Sequence, residues 1–145
     1  MATGRKRSRG RSSPSLSIAT EASALDVQTD FKRPPVVRDP QLLRELHKRW
    51  RECAMASTNE EGERCEPILS LHHIHAHPRD DVEANLIMLC GSGTTGHHGA
   101  VQHREKWARD ALRAILRASR PDFIEYLTWR LRTPERAAEW LDRVL

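Results

Sequence analysis

Histidine is concentrated in one part of the chain, where seven of the eight histidines lie between His72 and His103. Residues 69–98 read LSLHHIHAHPRDDVEANLIMLCGSGTTGHH, with a His-His pair, an asparagine twelve residues after the second histidine, and a final His-His pair. Neutral imidazoles can bind a divalent metal, and an unligated imidazole can act as a general base near neutral pH. These residue types are the minimum needed for metal-assisted hydrolysis of a phosphodiester.

Two short strands and a turn are predicted around these histidines. Residues 68–74 and 86–89 are apolar and flanked by turn-forming residues, which favours strand structure. Residues 76–81 contain a proline and two consecutive aspartates, which are typical of a turn. In an extended strand His72 and His73 would point to opposite faces, so both can serve one site only where the strand ends or bends. The loop-like residues that follow the pair favour such an end.

Helices are predicted on both sides of the strands. Asp39 followed by Pro40 is typical of a helix start, and apolar residues then recur at helical spacing to about residue 55. Further helices are predicted over residues 99–119, from Pro121 and from Thr133. Three arginines step by four along one face of the helix at 99–119: Arg109, Arg113 and Arg117. Such a stripe is more often a solvated face than a binding surface.

The ordered set of histidines and asparagine resembles the HNH endonuclease family. The family core is the ββα-metal (His-Me) finger, in which a strand ends in His-His or Asp-His, an asparagine follows, and a histidine opens a helix. The resemblance covers roughly residues 60–105. It is greatest to small phage-encoded members, which often have Cys-His where this chain has His97-His98.

The resemblance implies an α+β fold. Its core would be a small ββα-metal finger, a two-stranded hairpin plus one helix, flanked by an N-terminal helix and C-terminal helices. The nuclease domain would span residues 39–145, with the motif core at 65–104 and the added helices at 105–145.

The same resemblance assigns roles to individual residues. His72 and His98 would be the metal ligands, and His73 would be the general base. Asn85 would fix the connecting loop and orient His73, since its amide both donates and accepts hydrogen bonds. The alternatives are that one histidine of the pair only packs in the strand and that Asn85 only forms a turn. Two further histidines are possible accessory residues: His97 and His103.

The implied activity is that of a metal-dependent endonuclease that nicks or cleaves DNA by hydrolysing phosphodiester bonds. One divalent ion would be the cofactor, and the sequence does not choose among Mg²⁺, Mn²⁺, Ni²⁺ and Zn²⁺. By resemblance alone the protein would be phage-encoded, with a terminase or portal protein of the packaging machinery as a partner. The alternatives are a non-catalytic, zinc-finger-like DNA-binding module and a phage assembly protein that keeps the fold without activity.

Three cysteines at wide spacing, Cys53, Cys65 and Cys90, do not indicate a disulfide framework. Relatives in the family often hold a structural zinc on two CxxC pairs, which this chain lacks. Cys65, Cys90 and His97 could supply three zinc ligands, but the sequence indicates no fourth. A structural zinc site needs four ligands, so none is expected here.

Composition is consistent with one small domain. With 145 residues, 38% of them hydrophobic, the chain can bury a modest core. The formal charge of +4 favours a polyanionic partner. Residues 1–38 are predicted to be a disordered basic tail, and five of its side chains are candidates for DNA contact: Arg5, Lys6, Arg7, Arg9 and Arg11. No membrane span or export signal is indicated, so we expect a cytoplasmic protein, in the host cell if phage-encoded.

Overall fold

The computed structural model describes residues 33–58 and 65–145. Within these residues lie five α-helices and one two-stranded antiparallel sheet, which confirms the predicted α+β class. In chain order the elements are α1 (Pro40–Arg49), β1 (Leu69–His73), β2 (Leu86–Cys90), α2 (Gly96–Gln102), α3 (Lys106–Ser119), α4 (Pro121–Leu131) and α5 (Pro134–Arg143). Single 3₁₀ turns lie at Ala56–Thr58 and Glu83–Asn85.

The hairpin around the histidines forms as predicted. β1 and β2 pair antiparallel, with Leu69 opposite Cys90 and His73 opposite Leu86. Every residue of β2 is buried, whereas every residue of β1 is half-buried. β2 is therefore the core strand, and β1 holds its histidines closer to solvent.

A tight glycine-rich turn joins β2 to α2. Gly91 has a φ of +86° and Gly96 a φ of +60°, a region that side chains other than glycine rarely adopt. A Cβ atom at Gly91 would lie 2.1 Å from the carbonyl oxygen of Thr95, and one at Gly96 would lie 2.6 Å from that of Cys90. The turn therefore brings the start of α2, with its two histidines, directly beside the end of β2.

The first helix is shorter than predicted. It begins as expected, since the Oδ1 atom of Asp39 accepts a hydrogen bond from the N–H of Leu42 at 2.9 Å. It ends at Arg49 and not near residue 55. Beyond it the N–H of Ala54 donates to the carbonyl of Met88 in β2 at 2.9 Å. The prediction failed because this tertiary hydrogen bond replaces the helical bonds of the following residues.

The single helix predicted over residues 99–119 consists of two helices. α2 starts earlier, at Gly96, and α3 starts at Lys106 after a break. Within the break Arg104 has a left-handed φ of +61°. The apolar side chains of α2 and α3 enter the same core across this change of direction, so periodicity alone did not reveal it.

The last helices supply most of the core that covers β2. Phe123 and Leu127 of α4 are completely buried, as are Leu112 and Leu116 of α3. α5 begins as predicted, because the Oγ1 atom of Thr133 accepts from the third residue of the helix at 3.2 Å. The three helices thus form a scaffold that fixes the orientation of the hairpin.

Residues upstream of α1 belong to the folded unit. The guanidinium of Arg130 donates to the carbonyls of Pro34 and Pro35 at 2.7 and 3.2 Å, and the N–H of Val37 donates to Asp80 at 2.9 Å. The unit that includes α1 to α5 spans 32–145, so it starts upstream of the boundary predicted at residue 38. The five basic residues proposed to touch DNA (Arg5, Lys6, Arg7, Arg9 and Arg11) lie outside the described residues.

Candidate functional site

His72 and His98, the two predicted metal ligands, lie in contact. Their ring centroids are 4.9 Å apart in an edge-to-face arrangement. β1 presents His72, and the first turn of α2 presents His98, which the glycine-rich turn carries back to the hairpin. Two imidazoles from different elements thus converge at the end of the sheet.

Ser70 fixes the protonation of the His98 ring. Its hydroxyl donates to the carbonyl of Gly91 at 2.7 Å, and its Oγ atom lies 2.5 Å from Nδ1 of His98. Because the hydroxyl hydrogen is already used, Nδ1–H of His98 is the donor and Ser70 is the acceptor. The Nε2 atom of His98 therefore carries a lone pair, which is the form that binds a metal ion.

Both rings of this pair favour the neutral state. Burial lowers the pKa of His72 to about 3, and electrostatic interaction with the ionisable side chains of His98, His73 and Arg79 lowers it further. Burial also lowers the pKa of His98. Since only a neutral imidazole offers a lone pair, His72 and His98 fit a divalent cation near neutral pH.

His73, the predicted general base, bonds to a carboxylate. Its Nε2 atom lies 2.8 Å from Oδ1 of Asp81, whose side chain is 6% exposed. Burial tends to raise the pKa of Asp81, but hydrogen bonds from His73 and from the N–H of Asp39 lower it overall, so the group is ionised and accepts. Nε2 of His73 is then the donor, and Nδ1 remains as the nitrogen that can take a proton.

Asn85 holds the loop after β1. Its Oδ1 atom accepts from the N–H of His75 at 2.8 Å, and its Nδ2 atom donates to the carbonyls of His75 and Asp80 at 3.0 and 3.1 Å. The side chain is completely buried. Asn85 therefore fixes the loop, while the His73 ring donates its hydrogen bond to Asp81, which sequence reasoning did not single out.

A second cluster of donors lies behind the hairpin. The Nδ1 atom of His97 is 3.3 Å from the Sγ atom of Cys53, 3.5 Å from that of Cys65 and 3.0 Å from that of Cys90. All four donor atoms lie within 4.8 Å of one another. These four residues, named here the Cys₃His cluster, could hold a metal ion. The expectation that no fourth ligand exists was wrong, because the chain after α1 brings Cys53 to the other three.

The donor set of the Cys₃His cluster fits zinc. Tetrahedral zinc with typical bond lengths places a sulfur and a nitrogen ligand about 3.6 Å apart, close to the separations seen here. Burial raises the pKa of Cys53, and burial together with the neighbouring thiols raises that of Cys65 to about 12. A bound cation would compensate for these effects and stabilise the thiolates.

The remaining histidines have separate positions. His97, a predicted accessory residue of the catalytic pair, belongs to the Cys₃His cluster, and His103 is an exposed residue that ends α2. His75 was predicted to be peripheral, but it is 5% exposed and its ring packs 5.2 Å from that of Trp140. His77 is exposed, as expected of a turn residue.

The pair of adjacent histidines lines one cavity, of about 410 Å³. β1 ends at His73, so two consecutive side chains border the same space, as a shared site requires. Arg104 and Arg109 line the cavity from the other side. The cavity is thus basic and lies beside the candidate ligand His72.

Comparison with protein-family models, with curated proteins and with solved structures finds no match. Among the described residues, no helix is long and apolar enough to cross a membrane.

Proposed function

We propose that this protein is a metal-dependent DNA endonuclease of the HNH type, which hydrolyses phosphodiester bonds. One observation carries the proposal. The rings of His72 and His98 are in contact, and the Nε2 atom of His98 has a lone pair that is free to bind a metal ion. The neighbouring His73 forms a separate hydrogen bond with Asp81. A metal site and a free base are thus available from adjacent residues. Support also comes from the order of the elements, because His72 and His73 lie on β1 and His98 lies on α2, which follows β2.

His72 and His98 would hold the divalent ion, which would neutralise charge on the scissile phosphate and the leaving oxygen. His73 would accept the proton of the attacking water at Nδ1, because Nε2–H is engaged by Asp81. Asn85 would keep the loop after His73 in place through its three hydrogen bonds. Several metals suit a site with two imidazoles and open positions, including Mg²⁺, Mn²⁺, Ni²⁺ and Zn²⁺.

The Cys₃His cluster would bind a structural zinc in addition. Four donors, three of them from buried residues and one from the half-buried Cys65, would close a tetrahedral site, which is typical of structural zinc and leaves no position for substrate. The cluster would tie the segment after α1 to β2 and α2. The ion would therefore support the hairpin that carries the candidate catalytic residues.

A non-catalytic, zinc-finger-like DNA-binding module is the second candidate. The closed Cys₃His cluster is the observation that favours it, since such sites stabilise small DNA-binding domains. It leaves unexplained why His72, His73 and His98 stand outside the cluster with hydrogen bonds that fix their ring orientation. A phage assembly role, with the packaging proteins as partners, rests on the family resemblance alone.

Nicking of supercoiled plasmid, with each divalent metal in turn, tests the proposal. Wild type should nick, and His73→Ala should be slower by about 10²- to 10⁴-fold, the usual contribution of a general base. His103→Ala is the matched control, because His103 is exposed and outside the cavity. Absence of nicking by wild type with every metal, while zinc and DNA still bind, would favour the binding module.

The five basic residues between Arg5 and Arg11 would add contacts to DNA phosphates. Deletion should remove residues 1–32 only, since Pro34 and Pro35 bond to Arg130. The truncated protein should show a shallower fall of log affinity with log salt, by about 0.9 for each phosphate that the tail would neutralise. An unchanged slope would mean that the tail touches no phosphate.

A further inference from the structure

One arginine of α3 differs from the other two in its stripe. Arg113 pairs with Asp110 at 2.8 Å and donates to the carbonyl of Leu141, and Arg117 pairs with Asp142. Arg109 forms no ion pair within the described part of the chain, and its Nε atom is buried without a hydrogen-bond partner there. Two of the three arginines are thus used within the fold, and the third is left with unused donors.

Arg109 borders the cavity that His72 and His73 line on its other side. Arg104 borders the same cavity, and its guanidinium reaches the carbonyl of Val144 at 2.8 Å. Among the described residues, no acidic side chain lines this cavity. A guanidinium with a buried, unsatisfied N–H has an energetic cost, which an anion in the cavity would remove.

A second residue that lines this cavity, His75, also has a buried nitrogen atom without a partner in the part of the chain that the structure describes. His75 is only 5% exposed; its ring forms a hydrogen bond with the backbone of Pro78, and its Nδ1 atom is buried without a further partner among residues 33–58 and 65–145. His75 is held rigidly, because Asn85 bonds both its N–H and its carbonyl. Arg109 and His75 thus both border one cavity, and each has a buried nitrogen atom without a hydrogen-bond partner in the described residues.

A larger cavity differs in this respect. It has a volume of about 560 Å³ beside Trp50, and two of its arginines are paired, Arg49 with Glu83 and Arg120 with Asp122. Three acidic side chains line it, Glu52, Glu83 and Asp122, and they would repel an anion. The smaller, histidine-lined cavity is therefore the better anion site.

We propose that Arg109, assisted by Arg104, binds a backbone phosphate of the DNA strand whose neighbouring linkage lies at His72 and His98. The proposal rests on the proposed nuclease function for the identity of the ligand. A volume of about 410 Å³ is within the range of ligand pockets and admits a phosphate with part of its sugar. A guanidinium can donate two parallel hydrogen bonds to two oxygens of one phosphate. This geometry favours phosphate over an anion that offers a single acceptor atom.

Salt-dependent binding of a DNA duplex to the full, zinc-loaded chain, without added divalent metal, tests the site. Arg109→Gln should make the slope of log affinity against log salt shallower by about 0.9, which is about an eightfold loss of affinity at 0.1 M salt. Arg109→Lys should keep the slope, since the charge remains, but bind more weakly because the fork geometry is absent. Arg117→Gln is the matched control, on the same helix but paired outside the cavity.

The outcomes separate this proposal from the nuclease proposal. If wild type never nicks DNA but Arg109→Gln alone changes the slope, the phosphate site stands and the catalytic function fails. If wild type nicks DNA but Arg109→Gln and Arg117→Gln have the wild-type slope, the phosphate site is overturned. The phosphate site would also be overturned if Arg109→Lys made the slope as shallow as Arg109→Gln does. Because lysine keeps the charge, a loss of folding would then explain the effect of both variants.

Discussion

The Nε2 atom of His73 lies 2.8 Å from the carboxylate of Asp81, which also accepts the N–H of Asp39 at 3.0 Å. Through these two hydrogen bonds the Asp81 carboxylate links the end of β1 to Asp39, the residue that caps α1. It leaves Nδ1 as the basic nitrogen of His73 and fixes the plane of the ring. Asp81 is therefore a positioning residue for the proposed base.

Asp81→Asn should reduce kcat for plasmid nicking by about 10- to 100-fold, the usual cost of losing a partner that orients an imidazole. The amide is the same size but can present an N–H to the ring, which would favour the wrong tautomer. KM for DNA should change little, because Asp81 is buried and would not touch the substrate. Asp142→Asn, at an exposed carboxylate, is the control. A change in KM with kcat preserved would argue against this role.

Ser70 should matter for metal binding although it would not touch the ion. Ser70→Ala removes the acceptor that holds Nδ1–H of His98, so affinity for Mn²⁺ should fall by about 10- to 100-fold. Calorimetric titration of the zinc-loaded protein measures this directly. Ser119→Ala, whose hydroxyl only bonds within α3, should bind as wild type does. Equal affinities of Ser70→Ala and wild type would show that the tautomer of His98 is set by another group.

The hairpin was predictable because its signals are local. Strands predicted over residues 68–74 and 86–89 are found at Leu69–His73 and Leu86–Cys90. The predicted helix end near residue 55 was wrong, and the break between α2 and α3 at residues 103–105 was missed, because tertiary contacts set both. Ala54 bonds to β2, and Arg104 turns the chain between α2 and α3. Propensity and periodicity carry little information about such contacts.

The site was predictable only in part. The order of His72, Asn85 and His98 carried the family resemblance, and the structure brings the two histidines into contact. The hydrogen-bonding roles of Ser70 and Asp81 were missed, because they depend on tertiary contacts between separate segments of the chain. No periodic sequence pattern marks such contacts. Cys53 was missed because it was placed on α1. A count of three cysteines plus His97 as four soft donors was the available signal for a zinc site.

The Cys₃His cluster should retain zinc through purification. Structural zinc sites bind with apparent free energies of about 10–16 kcal/mol near neutral pH, so dialysis should leave about one zinc per chain. Cys53→Ala should lose this zinc and unfold at a lower temperature, as should wild type treated with a chelator. His98→Ala should keep the zinc, since His98 is outside the cluster. Metal analysis that finds zinc in Cys53→Ala but not in His98→Ala would place the tight site at the histidine pair.

The stability of the fold should fall in acid because of Asp80. This buried carboxylate pairs with Arg130 and accepts from the hydroxyl of Tyr126 at 2.6 Å and the N–H of Val37 at 2.9 Å. Burial alone would raise the pKa of Asp80, but these partners lower it below its usual value of 3.8. The unfolded chain therefore takes up a proton near pH 3.8, before the folded chain does. The stabilisation is complete above that pH and is lost as the pH falls toward the lowered pKa.

Denaturant unfolding between pH 7 and pH 2 measures this dependence. Asp80→Asn should be less stable than wild type at pH 7 by about 3–5 kcal/mol, since it leaves the buried Arg130 guanidinium without its counter-charge. Its free energy of unfolding should also vary less with pH than that of wild type below pH 4, because the variant lacks one of the carboxyl groups whose pKa is lowered in the folded state. Asp142→Asn should follow the wild-type curve, since Asp142 is exposed and lies far along the chain from this network. An Asp80→Asn curve parallel to wild type across the acid range would mean that other carboxyls, with Asp81 first among them, carry the acid sensitivity.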